Sequence, residues 1–136
     1  VLDTVSTVPE KPGAQDLARA EGTVEFDQVG FGYPRSGKIL HGVSFKALPG
    51  QTLALVGSTG AGKTTSMQLL QRLYDPQEGR VTLDGVDLRD ITLESLRRNI
   101  GVVFQESMLF NRTIRDNLLV GRPGATQEEV ERACRM

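Results

Sequence analysis

Two stretches in the first third of the chain alternate apolar and polar residues. Val24 and Phe26 alternate with acidic residues, and the stretch from Val43 to Ala47 alternates with serine and lysine. Successive side chains of a β-strand point to opposite faces, so this alternation predicts two half-buried strands. The glycine- and proline-rich residues 32–37 between them predict a loop.

Two short runs are apolar without alternation. Residues 52–56 and residues 100–104 each consist almost wholly of aliphatic, aromatic or small residues. Such runs are typical of strands that are buried on both faces, as in a parallel sheet. A hairpin is predicted between them, because Asp84-Gly85 separates the apolar pairs of residues 81–83 and 86–88.

Helical spacing and capping residues predict four helices. The first runs from Lys63 to about residue 74, where Asp75-Pro76 ends it. Thr92 can cap a second helix through residue 99, and a third occupies residues 113–119. Thr126 and Glu129 fit a capping box at the start of the fourth. Its pattern continues to residue 136, which predicts that the chain stops inside a helix.

Composition limits the classes of function. The chain has 136 residues, a net charge of −1, and 38% hydrophobic and 24% charged residues, which is typical of a globular domain. Lysine and arginine are dispersed, so no nucleic-acid partner is expected. One cysteine and one histidine do not make a zinc site. Residues 1–22, with scattered charges, Pro9, Pro12 and Gly13, have the composition of a linker leading from an upstream domain.

One motif carries chemistry on its own. Residues 57–64 match G-x-x-x-x-G-K-[ST] in full: Gly57, Ser58, Thr59, Gly60, Ala61, Gly62, Lys63 and Thr64. The glycines leave room for backbone N–H groups to surround phosphate, and the predicted helix start adds its free N–H groups. Lys63 can reach the β- and γ-phosphates, and the Thr64 hydroxyl can ligate Mg²⁺. The motif predicts binding of ATP or GTP with Mg²⁺; a purely structural glycine-rich turn is the alternative.

Five further segments, in order, resemble the ATPase domain of ABC transporters of the exporter type. They are residues 31–34 (FGYP), residues 39–57 leading into the phosphate loop, residues 79–87 (GRVTLDGVD), residues 102–106 (VVFQE) and residues 109–118 (LFNRTIRDNL). The resemblance extends from about Thr23 to the last residue. It implies an α/β fold: part of a P-loop NTPase core with an antiparallel β subdomain, ending within the helical subdomain.

The resemblance also implies roles for single residues. Tyr33 would stack on adenine, and Thr65 would place a hydroxyl near the α-phosphate. Gln105 would ligate Mg²⁺ or orient the attacking water, and Lys63 with Gln105 would serve catalysis. The alternatives are a tyrosine that packs on the strands, ordinary polarity in a first helical turn, and a polar residue that leaves a strand. Glu106 stays unassigned.

At the level of the protein, the resemblance implies an ATP hydrolase that drives export of a substrate across a membrane. Its partners would be a transmembrane domain fused upstream and a second ATPase domain in a dimer. The location would be the cytoplasmic face of a membrane, the bacterial inner membrane. The sequence contains neither an LSGGQ-like signature nor an apolar strand ending in Asp-Glu. The alternative function is therefore a nucleotide-binding module without turnover.

Overall fold

The structure is a computed structural model that describes residues 8–34, 37–105 and 109–135. The chain divides into two compact units between Gly101 and Val102. The first unit contains four strands, β1 Val24–Tyr33, β2 Gly37–Ala47, β3 Glu78–Leu83 and β4 Val86–Asp87, and the helices α1 Lys63–Leu70 and α2 Leu93–Asn99, with a 3₁₀ turn at Leu88–Asp90. The second unit contains α3 Ile114–Leu119 and α4 Gln127–Cys134.

The strands form an antiparallel sheet in the order β2-β1-β3-β4. Val24 pairs with Ala47 on one side and with Leu83 on the other, so β1 is central. The predicted hairpin is confirmed, and its turn residues Asp84 and Gly85 have φ angles of 52° and 80°. Two positive φ angles give the turn a twist that matches antiparallel strands.

The predicted loop of residues 32–37 is shorter in the structure. β1 continues to Tyr33 and β2 begins at Gly37, and these two residues pair with each other. The pairing of β1 with β2 shifts register at three points before it reaches this end of the ladder. Ser36, one of the predicted loop residues, lies outside the described residues.

The hydrophobic core of the first unit lies between the sheet and the helices. Its buried side chains come from β1, β2, β3, α1, α2 and the 3₁₀ turn: Phe26, Val29, Phe31, Leu40, Leu69, Val81, Leu83, Leu88, Ile91 and Leu96. Removal of this apolar surface from water is the main stabilising term. The core fastens α1 to the sheet, and α1 follows the glycine-rich loop directly.

Capping residues begin three helices, at Thr92 and Thr126 as predicted and also at Thr113, which was predicted only as part of its helix. The side chains of Thr92, Thr113 and Thr126 accept hydrogen bonds from backbone N–H groups of the first helical turn. At α4 the capping box is complete, because Glu129 also accepts from the Thr126 N–H at 2.9 Å. The first helix ends at Leu70 rather than near residue 74, because Arg72 has a left-handed backbone with φ of 50°.

The two predicted buried strands are not formed. Residues 52–56 and 100–104 have no regular structure, and their apolar side chains are largely exposed, Val56 by 89% and Val103 by 99%. A strand needs a hydrogen-bonded neighbour, and the ladders of the described residues join only β1–β4 with one isolated bridge. The prediction of these strands was wrong for this reason.

Residues 8–22 contain no helix or strand, yet they are fastened to the first unit. Gln15 forms an isolated parallel bridge with Ile91, and the Arg72 Nη2 donates to the Pro9 carbonyl at 3.1 Å. Asp84 accepts hydrogen bonds from the N–H groups of Glu21, Gly22 and Thr23 at 2.7–3.0 Å. We call residues 8–23 the strap.

In the part of the chain that the structure describes, no helix is long and apolar enough to cross a membrane.

In the second unit, the side chain of Asn117 fixes the segment that precedes α3. The Asn117 side chain accepts from the Phe110 N–H at 2.7 Å and donates to the carbonyls of Phe110 and Thr113 at 3.1 and 2.9 Å. These bonds hold the segment before α3 in place. Leu109, Phe110 and Ile114 in this unit are exposed by 77%, 61% and 78%.

Candidate functional site

The glycine-rich loop changes direction at residues 57–62 and then opens into α1. Gly60 and Gly62 both have φ of 86°, in the left-handed region that favours glycine. A Cβ atom on Gly62 would lie 2.4 Å from Leu40 Cδ2, in the core. The loop therefore depends on glycine for its backbone shape and for its close approach to β2.

The Lys63 side chain folds back over its own loop. Its Nζ donates to the carbonyl oxygens of Gly57 at 2.6 Å and Ser58 at 2.7 Å. The loop is closed further by a turn in which the Ala61 N–H donates to the Ser58 carbonyl at 3.2 Å. An ammonium group is thus held at the mouth of the loop by weak neutral acceptors, which an anion would replace.

The beginning of α1 is free of acidic groups. Gly62 is the N-cap residue and supplies no side-chain hydrogen bond, and the first turn contains no aspartate or glutamate. The unsatisfied N–H groups and the positive end of the helix dipole therefore favour an anion at this point. The Thr64 side chain in this turn is exposed, whereas Thr65 is buried.

Tyr33 lies at the end of β1 and reaches α1. Its ring is perpendicular to the rings of Phe31 and Tyr74, at centroid distances of 5.1 and 5.3 Å. Its hydroxyl donates to Gln68 Oε1 and lies 3.4 Å from Thr65 Oγ1. The structure thus brings Tyr33 to the same helix that carries Lys63, Thr64 and Thr65.

Gln105 is placed differently from the other predicted site residues. It belongs to the second unit, whereas Tyr33 and the glycine-rich loop belong to the first. It is exposed and follows the irregular residues 100–104 rather than a strand. Its role in metal binding or catalysis stays a prediction, and Glu106 lies outside the described residues.

The donor set fits a nucleotide with Mg²⁺ better than a metal bound by protein alone. Among the described residues, no group of three or more His, Cys, Asp or Glu side chains could hold a metal ion. The loop instead offers glycine space, an ammonium group and a helix start, and Thr64 offers an exposed hydroxyl. Mg²⁺ typically takes one or two protein ligands together with phosphate oxygens and water, and this set suits that arrangement.

Sequence reasoning missed the roles of two side chains, one on α1 and one just after it. Gln68 was not distinguished from other polar helix residues, although it lies three residues after Thr65 and therefore on the same helix face. Arg72 is 1% exposed and donates to Asp75, Pro9 and Ile91. Its left-handed backbone in a helical pattern gives no local sequence signal.

Comparison with known proteins identifies the family. A family model described as ABC transporter matches residues 40–136. The Beta-(1→2)glucan export ATP-binding/permease protein NdvA of Rhodopseudomonas palustris (strain BisB18) is 55% identical over 134 residues, which are 98% of this chain and 22% of that protein. The protein of the same name from Rhizobium etli is 48% identical over 132 residues, 97% of this chain and 22% of that protein.

A solved structure agrees. The protein described as "Structure of a bacterial Atm1-family ABC exporter with ATP bound" has a TM-score of 0.89 and 46% identity, covering 98% of this chain and 24% of that chain. This chain thus spans about a fifth of the length of the relatives that it matches. Its antiparallel sheet and adjoining loop have the fold of an ABC transporter nucleotide-binding domain, and the chain belongs to the ABC transporter family.

Proposed function

We propose that this chain is the ATP-binding part of an ABC transporter ATPase domain, which couples ATP binding and hydrolysis to export of a substrate across a membrane. The observation that carries the proposal is the complete phosphate loop, with Lys63 Nζ held at its mouth and α1 starting directly behind it. The relatives named as export ATP-binding/permease proteins support the same function.

In this proposal the phosphate loop holds the triphosphate. The N–H groups of the loop and of the first turn of α1 donate to phosphate oxygens: Gly57, Ser58, Thr59, Gly60, Ala61, Gly62, Lys63, Thr64 and Thr65. Lys63 releases the two loop carbonyls and pairs with the β- and γ-phosphates. An ammonium–phosphate contact is stronger than an ammonium–carbonyl contact, because both partners are charged.

The remaining site residues serve the base, the metal and the attacking water. The Tyr33 ring stacks on adenine, which stabilises binding by roughly 1–3 kcal/mol in comparable base-stacking contacts. The hydroxyl of Thr64 would ligate Mg²⁺, and the side-chain oxygen of Gln105 would either ligate Mg²⁺ or orient the attacking water. Bound Mg²⁺ would neutralise charge on the phosphates during transfer.

The parent protein of this proposal is a membrane transporter. The relatives combine an ATP-binding part with a permease part in one protein, and this chain covers 22% of their length. A transmembrane domain before the strap and a second ATPase domain in a dimer would complete it. The site would then face the cytoplasm at a bacterial inner membrane. Residues 1–22 would link the two domains, and residues 23–136 would form the antiparallel subdomain and part of a P-loop core.

Thermal unfolding in the presence of Mg·ATP tests the proposal. A ligand that binds only the folded state adds about 2.7 kcal/mol of stability at a hundred times its Kd, so the unfolding temperature should rise. The Lys63→Ala variant should show no rise, because the charge at the loop mouth is removed. Lys46→Ala is the matched control, since Lys46 pairs with Glu25 on the sheet at 2.9 Å and lies away from the loop. A cooperative transition that ignores Mg·ATP contradicts the proposal.

A further inference from the structure

A hydrogen bond joins the aromatic end of β1 to the phosphate-loop helix. The Tyr33 hydroxyl donates to Gln68 Oε1, and Gln68 lies on α1, five residues after Lys63. Thr65 Oγ1 lies 3.4 Å from the same hydroxyl. All three residues belong to the first unit, and the contact joins residues that are 35 positions apart in sequence.

The ring of Tyr33 is constrained by two kinds of contact. Phe31 and Tyr74 contact it edge to face with interplanar angles of 88° and 83°, which restricts rotation of the ring about its long axis but leaves the direction of that axis to other contacts. The hydroxyl is tied to α1 by Gln68, which is half-buried and therefore competes well with water for this bond. Gln68 thus determines the direction in which the phenol points relative to α1.

We infer that Gln68 is a positioning residue for the nucleotide base. Through Tyr33 it holds the base-stacking ring in a fixed orientation relative to the phosphate loop, so the two ends of the nucleotide meet a preorganised site. Preorganisation of a contacting side chain increases affinity by lowering the cost of ordering it on binding. This inference rests on the proposed function, and it assigns Gln68 no contact with the phosphates.

The test separates the base from the phosphates. Binding of Mg·ATP and of Mg·tripolyphosphate, which has no base, is measured by titration calorimetry for the purified protein and for Gln68→Met. Methionine has a similar length but cannot accept the Tyr33 hydrogen bond as an amide does. Loss of one such bond should weaken ATP binding about fivefold and leave tripolyphosphate binding unchanged.

Gln71→Met is the matched control. Gln71 is on the next turn, and its Nε2 donates to the Met67 carbonyl at 3.1 Å on an exposed side of the helix. This variant should bind both ligands as the unchanged protein does. Its thermal unfolding, compared with that of Gln68→Met, shows whether either substitution unfolds the protein.

A double substitution supplies the readout that a structural role would not give. Tyr33→Phe should weaken ATP binding about as much as Gln68→Met does. The double variant should bind ATP no more weakly than either single variant, since each substitution removes the same hydrogen bond. Additive losses, or equal losses for ATP and tripolyphosphate, overturn the inference. If Gln68→Met binds Mg·ATP and Mg·tripolyphosphate as tightly as the unchanged protein does, the inference is wrong while the proposed function is not contradicted. Binding of neither ligand by the unchanged protein overturns the proposed function and the inference with it.

Discussion

Single residues in the phosphate loop show how sequence becomes an anion site. Lys63 is held by two carbonyls of its own loop, at 2.6 and 2.7 Å, so its charge stays at the loop mouth. The first turn of α1 adds no negative charge. The backbone geometry of the loop, the direction of α1 and the Lys63 ammonium group therefore all favour an anion at the loop mouth.

The glycine at the end of the loop can be tested by itself. Gly62→Ala should destabilise the fold by roughly 1–3 kcal/mol, because alanine is strained at a φ of 86° and its Cβ would press against the buried Leu40. Urea unfolding measures the loss, and Mg·ATP binding should weaken in parallel since the loop must shift.

Gly101→Ala is the control for this substitution. Gly101 has no positive φ, and nothing lies within 4 Å of a Cβ placed on it. Its stability should change little. A Gly62→Ala variant as stable as Gly101→Ala would show that the loop does not need the left-handed backbone.

The local backbone was predictable where local sequence determines it. The loop motif predicted glycines with unusual backbone angles running into a helix, and the structure gives this loop glycines with positive φ angles and a helix start. The partner of Tyr33 was not predictable, because the contact with Gln68 joins β1 to α1 across 35 positions. Such a pair depends on tertiary packing, which a single sequence does not reveal.

Among the elements, helices were predicted better than strands. A helix makes its hydrogen bonds within its own backbone, so the caps predicted at Thr92 and Thr126 marked two helix starts correctly. A strand depends on a neighbour that is distant in sequence. Residues 52–56 and 100–104 have strand composition, yet no ladder in the described residues includes them. The composition of these two segments favours a strand, but a strand forms only where a neighbouring strand pairs with it.

The attachment of the strap to the first unit can be tested at Arg72. Arg72 is buried at the end of α1 and donates to the Pro9 and Ile91 carbonyls at 3.1 Å and to Asp75. Arg72→Ala would leave these acceptors unpaired and open a cavity, which should lower the free energy of unfolding by roughly 2–4 kcal/mol. Urea unfolding measures this loss. Trypsin should also cleave faster after Arg19, because the strap loses an anchor.

Arg80→Ala is the comparison for Arg72→Ala. Arg80 is an exposed arginine whose guanidinium pairs with Asp27 at 3.1 Å, and such surface pairs contribute less than about 1 kcal/mol. Its effect on stability and on cleavage of the strap should be small. If both variants behave alike, Arg72 does not fasten the strap.

At the scale of the whole molecule, the chain consists of two compact units. The first contains Tyr33 and the phosphate loop, and the second contains Gln105 and exposed apolar side chains. Large exposed apolar side chains such as Phe110 mark surfaces that contact other protein, in this proposal another part of a transporter.

Turnover can be predicted from what the sequence contains. ABC ATPases are expected, from the family resemblance, to hydrolyse ATP between two domains, one giving the phosphate loop and the other a signature motif. The 136 residues include no LSGGQ-like motif and no apolar strand ending in Asp-Glu. The purified chain should therefore bind Mg·ATP but release phosphate no faster than Lys63→Ala does, because the sequence lacks the Asp-Glu strand end in which the resemblance places the catalytic carboxylate. Phosphate release is followed under excess ATP. Repeated turnovers that disappear in Lys63→Ala would show that this chain alone assembles a complete hydrolytic site.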